Sequence, residues 1–201
     1  MGDFFISADL AQVNDYTAIT TIERINQGAD RETEYHLRHI ERPERGTTYP
    51  KIVERLKAIA NSELIVDADK TVIVDITGVG RPVWDLLKES DFDGKTLLTG
   101  ILITGGNTVK EDGNIYSVPK RDLITALQVA FQNGRLKIAP GLPEADTLVK
   151  ELNNFKVKIN INGHDQYEAW REGIHDDIVL SAAMGIWTAA QPQHTWEIDF
   201  F

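Results

Sequence analysis

The sequence predicts an α/β protein in which helices flank a mixed sheet, and three observations carry this prediction. Three strand-like segments joined by short turn-like breaks occupy the first forty residues, which favours an antiparallel meander. Residues 71–76 form a nearly continuous β-branched run, typical of a strand that is buried on both faces and parallel to a neighbour. After this run helical and strand-like segments alternate, as they do in α/β folds.

The predicted strands are rich in β-branched or alternating apolar residues and are bounded by turn-forming residues. They cover residues 4–10, 16–25, 34–40, 71–76, 97–104 and 155–161. Residues 105–118 contain the turn-forming sequence Asp112-Gly113-Asn114 between two short extended pieces. We therefore expect an inserted, protruding β-hairpin there.

The predicted helices have apolar residues at helical spacing, and several have a proline at or near the first turn. They cover residues 49–60, 82–88, 119–132, 143–152 and 176–190. The last of these has a broad apolar stripe, so it must be largely buried.

Composition limits the classes of function. A chain of 201 residues, 42% of them hydrophobic, can bury one core, so we expect a single domain over residues 1–201. The absence of cysteine excludes disulfides, thiolate nucleophiles and cysteine-ligated metals. No apolar run could span a bilayer and no secretory signal is present, so we expect a soluble protein without membrane contact. The lack of cysteine fits a reducing cytoplasm. The formal net charge of −10 argues against a basic nucleic-acid-binding face, unless bound cations or a local group of basic residues offset it.

Four aspartates stand where the predicted topology brings separate segments together. Asp9 closes the first strand and Asp75 nearly closes the central one, so both reach one edge of the sheet if these strands are parallel neighbours. Asp176 and Asp177 begin the last helix, whose N-terminus favours negative charge. Carboxylates this close repel one another unless a cation lies among them. Oxygen ligands suit Mg²⁺ or Mn²⁺, and two such ions could hydrolyse a phosphodiester by activating water and stabilising the leaving oxygen.

Each acid also has a purely structural explanation. Asp9 could cap a turn, and Asp15 is best explained by the turn in which it lies. Asp176 and Asp177 could be ordinary helix N-terminal acids. Asp75 is harder to explain in this way, because a carboxylate within an apolar run costs free energy unless it is paired or binds a metal. The conjunction of these acids therefore favours a metal site.

The ordered set of motifs resembles the nuclease domain of tailed-phage terminase large subunits, and the resemblance covers nearly the whole chain. It rests on the strand-ending Asp9, Asp15 to Ile19, Val74 to Gly80, Val118 to Leu123, Gly134 to Ile138 and His175 to Asp177. It implies a ribonuclease H-like fold and a metal-dependent endonuclease that cuts concatemeric viral DNA during genome packaging. The implied partners are double-stranded DNA, a motor ATPase domain, the portal and the small terminase subunit, in the cytoplasm of a bacterial host. The phosphate-binding loop of the terminase motor domain, Gly-x-x-x-x-Gly-Lys-Ser/Thr, does not occur in this chain.

The resemblance also implies which acids bind metal. Asp9 and Asp75 are the strand acids of the metal site, and Asp176 and Asp177 supply the helix acid or acids. Adjacent helical residues point about 100° apart, so these two need not share one ion. Asp177 is the slightly favoured direct ligand.

Three residues are expected in supporting roles. Asp15 could act through water or an indirect contact with the metal site. Lys120 could face the scissile phosphate or orient an acid, and an ordinary solvated lysine is an equally good explanation. His175 is expected to be a peripheral hydrogen-bonding residue rather than a base.

Basic residues later in the chain are candidates for contact with the DNA backbone. The predicted contacts are Lys110 in the hairpin, followed by Lys120, Arg121, Arg135 and Lys137. A solvated loop and solvated helix ends would explain the same residues.

Three other functions stay open from sequence alone. A Holliday-junction-resolvase-like nuclease is the nearest competitor within the nucleases. The turn Asp75-Ile76-Thr77-Gly78 partly imitates actin-like and sugar-kinase-like ATPases, although the glycine-rich loop that such ATPases have after the first strand is missing. A non-catalytic module that docks on DNA or on the portal would retain the same fold.

Overall fold

The computed structural model of the protein describes residues 2–11, 16–26, 32–161 and 176–192. Within these ranges the strands are β1 (Asp3–Asp9), β2 (Ala18–Ile25), β3 (Glu34–Glu41), β4 (Lys70–Asp75), β5 (Thr96–Thr104), β6 (Lys110–Asp112), β7 (Ile115–Pro119) and β8 (Leu136–Ile138). The helices are α1 (Tyr49–Ala60), α2 (Gly80–Glu89), α3 (Lys120–Gln132), α4 (Ala145–Ile161) and α5 (Asp177–Ala190).

The described strands form one mixed sheet in the order β6-β7-β5-β4-β1-β2-β3-β8. Strands β1, β2 and β3 are the predicted antiparallel meander. Strand β4 is central and parallel to both β1 and β5, as its β-branched run indicated. The mixed α/β architecture predicted from the sequence is thereby confirmed.

The sheet separates two cores because successive side chains of β1 point to opposite faces. On one face Ile6 and Ala8 are fully buried in a core that also holds residues of α1 and α2. On the other face Phe5 packs in a core formed with α3, α4 and α5. Helices therefore cover both faces of β1 and β4, which explains why these strands are apolar on both sides.

Helix α5 crosses the sheet at very short range. A Cβ atom added at Gly185 would lie 3.0 Å from Ser7 Oγ and 3.1 Å from Ile22 Cγ1, so a larger residue there would push the helix away from the strands.

None of the described helices is both long and apolar enough to cross a membrane.

The predicted strand over residues 155–161 is wrong, because these residues continue helix α4 to Ile161. Its alternating β-branched pattern favoured a strand, but no proline or glycine stands between Ala145 and Ile161 to end the helix. Strand β8, in contrast, was not predicted: its three residues are too short for a periodicity signal and are defined by pairing with β3.

The predicted hairpin is present as β6 and β7, with its turn at Gly113, where φ is +56°. The prediction that it protrudes is wrong, because β7 pairs in parallel with β5 and the hairpin extends the sheet.

Candidate active site

Asp9 and Asp75 lie next to each other at one edge of the sheet. Ala8 pairs with Val74 in the parallel ladder between β1 and β4, and each aspartate is the next residue and the last of its strand. Both belong to the face that α5 covers, since Asp9 alternates with Ser7 and Phe5. The predicted convergence of the two strand acids is therefore present.

The turn after β4 holds the Asp75 side chain in place. The backbone N–H of Thr77 donates a hydrogen bond of 2.7 Å to Asp75 Oδ1, and the Thr77 hydroxyl accepts one of 2.8 Å from the N–H of Ile103. Gly78 has φ of +64°, and a Cβ at Gly80 would lie 1.7 Å from the Asp75 carbonyl oxygen. The turn therefore needs glycine at both positions, which explains the sequence Thr-Gly-Val-Gly after the strand.

A buried hydroxyl network fixes the distance between α5 and β1. Ser7 Oγ donates a 2.7 Å hydrogen bond to the Ser181 carbonyl, and Ser181 Oγ donates one of 2.8 Å to the Ser7 carbonyl. Thr20 Oγ1 lies 2.9 Å from both hydroxyls. Asp9 is two residues beyond Ser7, and Asp177 is one helical turn before Ser181. The network thus positions the helix acid relative to the strand acid.

The four acids interact electrostatically. Burial raises the pKa of Asp9 well above its usual range, and the charges of Asp75, Asp177 and Asp176 raise it further, while Lys120 lowers it. Burial also raises the pKa of Asp75, against the opposing effects of the hydrogen bonds in its turn and of Lys120. In the metal-free protein the ionised forms of the strand acids are therefore disfavoured.

Each of the helix acids has a cation beside it. Lys120 Nζ lies 3.0 Å from Asp176 Oδ2, and Arg42 Nη2 lies 3.7 Å from Asp177 Oδ2. Lys120 is therefore paired with one of the two helix acids, and its role in orienting that acid stays a prediction.

The donor set fits a hard divalent cation, because it consists of carboxylate oxygens. Among the described residues, however, no group of three or more carboxylate or imidazole side chains is arranged as the ligands of one ion. The acids are nevertheless near enough to raise the pKa of Asp9.

A buried ion pair beside these acids was missed by the sequence-based prediction. Arg42, just after β3, forms an ion pair with Glu151 of α4, whose side chain is 5% exposed. Glu151 Oε2 also accepts a 3.1 Å hydrogen bond from the N–H of Val179 in the first turn of α5. A signal existed, because Glu151 shares the apolar face of its helix with Leu148 and Leu152. Together these contacts hold the N-terminus of α5.

This ion pair predicts a pH dependence of stability. Burial raises the pKa of Glu151 from 4.5 to about 7, against the opposing effects of Arg42 and the Val179 N–H. An acid whose pKa is raised by folding contributes stability that is present below the unfolded pKa and is lost as the pH rises through the folded pKa. Glutamine at position 151 cannot titrate. The unfolding free energy of Glu151→Gln minus that of the parent should therefore increase between about pH 4.5 and pH 7, by about 2–3 kcal/mol.

Urea denaturation of both proteins in EDTA across this pH range would measure that difference. A difference that stays constant, or that falls as the pH rises, would show that Glu151 does not titrate as expected.

The predicted DNA-contact residues lie in different places. Arg121 lies beside the segment that leads into the hairpin of Lys110, since it donates a 3.1 Å hydrogen bond to the carbonyl of Asn107, just before β6. Arg135 and Lys137 flank the first residue of β8, which pairs with the beginning of β3, and their side chains lie 3.5 Å from Glu32 and 3.8 Å from Glu34.

This position is level with Asp3, at the start of β1, whereas Asp9 is at the end of β1. At 3.3 Å per residue the two ends of this strand are about 20 Å apart. The structure does not bring Arg135 and Lys137 together with the acids, so their contact with DNA stays a prediction. Asp15 and His175 lie outside the described residues.

The sequence matches the model of the family described as the Terminase RNaseH-like domain over residues 6–186. No curated protein sequence is significantly similar to the chain.

Solved structures with the same architecture include two phage proteins. The large terminase nuclease from thermophilic phage G20c is 20% identical, with a TM-score of 0.57 and coverage of 92% of this chain and 81% of that one. The g2p (large terminase) nuclease domain from bacteriophage SPP1, solved with bound Mn, is 10% identical, with a TM-score of 0.51 and coverage of 91% and 84%. These likenesses confirm the ribonuclease H-like fold.

Proposed function

Because the chain belongs to the Terminase RNaseH-like domain family, we propose that it is a metal-dependent endonuclease that cleaves concatemeric double-stranded DNA during viral genome packaging. The observation that carries this proposal is the convergence of Asp9, Asp75 and the first turn of α5 at one edge of the sheet. Buried acids with raised pKa values that face one another are costly for folding alone and are typical of functional sites.

We propose that Asp9, Asp75 and Asp177 hold Mg²⁺ or Mn²⁺, with two ions in the complete site. Asp176 is the less favoured ligand, since Lys120 lies closer to it than Arg42 lies to Asp177. Mn bound to the nuclease domain of phage SPP1 supports the choice of metal. Bound ions would supply an activated water and stabilise charge on the leaving oxygen.

The chain's own residues have defined tasks in this proposal. The turn hydrogen bond from Thr77 aims the Asp75 carboxylate, and the hydroxyl network of Ser7 and Ser181 holds α5 against β1. Lys120 provides positive charge beside Asp176 at the same edge. The site therefore presents fixed carboxylates rather than a nucleophilic side chain.

We propose further that residues 1–201 form a single nuclease domain that works with a motor ATPase domain, the portal and the small terminase subunit in the bacterial cytoplasm. The one sheet shared by all described strands supports the single domain. Translocation of DNA would depend on a motor domain, because this chain lacks the phosphate-binding loop.

Supercoiled plasmid tests the proposed activity. With millimolar Mn²⁺ or Mg²⁺ the protein should convert it first to nicked and then to linear DNA, and EDTA should stop the reaction. Mn²⁺ at a hundredfold excess over its dissociation constant should also increase the free energy of unfolding by about 2.7 kcal/mol and thereby raise the thermal midpoint. ATP should do neither.

No nicking under any of these conditions would overturn the nuclease proposal and favour a docking module. A strong preference for four-way junctions over linear duplex would indicate a resolvase instead. Stabilisation by ATP rather than by the metal would indicate an ATPase.

A further inference from the structure

The Tyr16 ring contacts two arginines, Arg42 and Arg45, beside the predicted metal-binding aspartates. These three residues are called the stack below. The guanidinium carbon of Arg45 lies 4.0 Å from the centroid of the Tyr16 ring, and that of Arg42 lies 5.1 Å from it. A cation–π contact of this kind attracts a guanidinium to the ring and restrains the arginine side chain. Arg45, which is otherwise exposed in the loop after β3, is thereby kept close to the sheet edge.

The stack lies at the same end of the strands as the four aspartates. Tyr16 is two residues before Ala18, and Ala18 pairs directly with Asp9. Arg42 of the stack lies 3.7 Å from Asp177. Lys120 lies on the other side of the acids, at the start of α3 beside β7. Positive charge therefore flanks the acids on the β2–β3 side as well as on the β7 side.

Arg45 differs from most of the described arginines in that no described carboxylate forms an ion pair with it. Arg38 is paired with Glu23, and Arg55 with Glu41. In a protein of net charge −10, a cation without a described carboxylate partner offers a place where a polyanion can bind.

We propose that Arg45, held on the ring of Tyr16, binds the phosphate backbone of duplex DNA next to the position at which the strand is cut. This inference rests on the proposed function, because it assumes that DNA reaches the acids. An arginine binds phosphate through two parallel hydrogen bonds. Because Arg45 is already restrained by the stack, it loses less conformational freedom on binding than a solvated arginine would.

Binding of a short fluorescein-labelled duplex, followed by anisotropy over a range of salt concentrations with Mn²⁺ present, tests the proposal. The measurement uses the Asp75→Asn background so that the duplex stays intact. Arg45→Ala should reduce the slope of log K against log salt by about 0.9, the contribution of one phosphate contact. It should also weaken binding on the order of tenfold, whatever the duplex sequence.

Two controls accompany this variant. Arg45→Lys keeps the charge and should keep the slope. Arg38→Ala removes an arginine of β3 that is already paired with Glu23, and it should leave both slope and affinity unchanged. Because Arg45 is exposed and its replacement removes only the contact with Tyr16, the thermal midpoint should fall only slightly.

The proposal would be overturned if Arg45→Ala left the salt slope equal to that of the Asp75→Asn background. It would also be overturned if Arg38→Ala reduced the slope by the same amount as Arg45→Ala. Plasmid nicking by the parent, measured in parallel, separates it from the proposed function. A reduced slope without nicking would support the DNA contact and refute the nuclease, whereas nicking with an unchanged slope would refute the DNA contact alone.

Discussion

Replacement of Asp75 by asparagine is expected to abolish metal-dependent nicking and, at the same time, to stabilise the metal-free protein. Asparagine keeps an oxygen that can accept the 2.7 Å hydrogen bond from the Thr77 N–H, so the turn should persist. It removes the negative charge that the metal requires, which should reduce the nicking rate on the order of a thousandfold or more.

The stability change follows from the raised pKa of Asp75, which is caused first by burial. A carboxylate whose pKa is raised by folding destabilises the folded protein when it is ionised. Asp75→Asn removes this charge and should therefore raise the thermal midpoint in EDTA at neutral pH. The gain should disappear at acidic pH, where the parent carboxyl is protonated. Thermal melts in EDTA at both pH values, together with the plasmid assay, measure the two effects.

The matched control is Asp69→Asn, which changes an exposed aspartate just before the other end of β4. Neither activity nor stability should change in this variant. Parental nicking by Asp75→Asn would contradict its role as a metal ligand. A lower midpoint in EDTA at neutral pH would contradict the electrostatic cost assigned to the acid.

Replacement of Glu151 by alanine is expected to cause the largest loss of stability, about 3–5 kcal/mol, the usual cost of removing one partner of a buried ion pair. The change leaves the Arg42 guanidinium with only its longer contact, 3.7 Å to Asp177, and removes the acceptor of the Val179 N–H. Helix α5 loses a restraint at the turn that carries Asp177, so nicking should also decrease.

Urea denaturation at neutral pH measures the stability loss. The matched control is Arg55→Ala, which breaks an ion pair with Glu41, next to Arg42, through a side chain that is 46% exposed. It should cost less than about 1 kcal/mol, because exposed pairs contribute little. Equal losses in the two variants would contradict the importance assigned to burial.

Single residues show how far the sequence alone could predict the site. Asp75 was identifiable because a carboxylate interrupts an apolar run, and Asp9 because it ends a strand of the same kind. Their adjacency followed from the prediction that both strands are buried and parallel. By contrast, nothing local indicated that Lys120 would contact Asp176, 56 residues further along the chain.

The errors in the fold prediction also arise where local sequence does not determine the structure. Residues 155–161 alternate like a strand, yet helix α4 continues through them, since an alternating pattern is a weak preference that the surrounding structure overrides. Strand β8 exists through its pairing with Tyr35 to Leu37, and three residues are too few to show a period.

The sequence by itself determined the meander, the central buried strand, the last helix and the aspartates at their ends, because periodicity and unusual buried charges are local properties. Only the tertiary structure decided that Arg42 would pair with Glu151 across 109 residues and that Arg45 would stack on Tyr16. The physical reason is that one residue type accepts many partners. Which partner an arginine or glutamate finds depends on the distance and burial that the packing of α4 and α5 against the sheet creates.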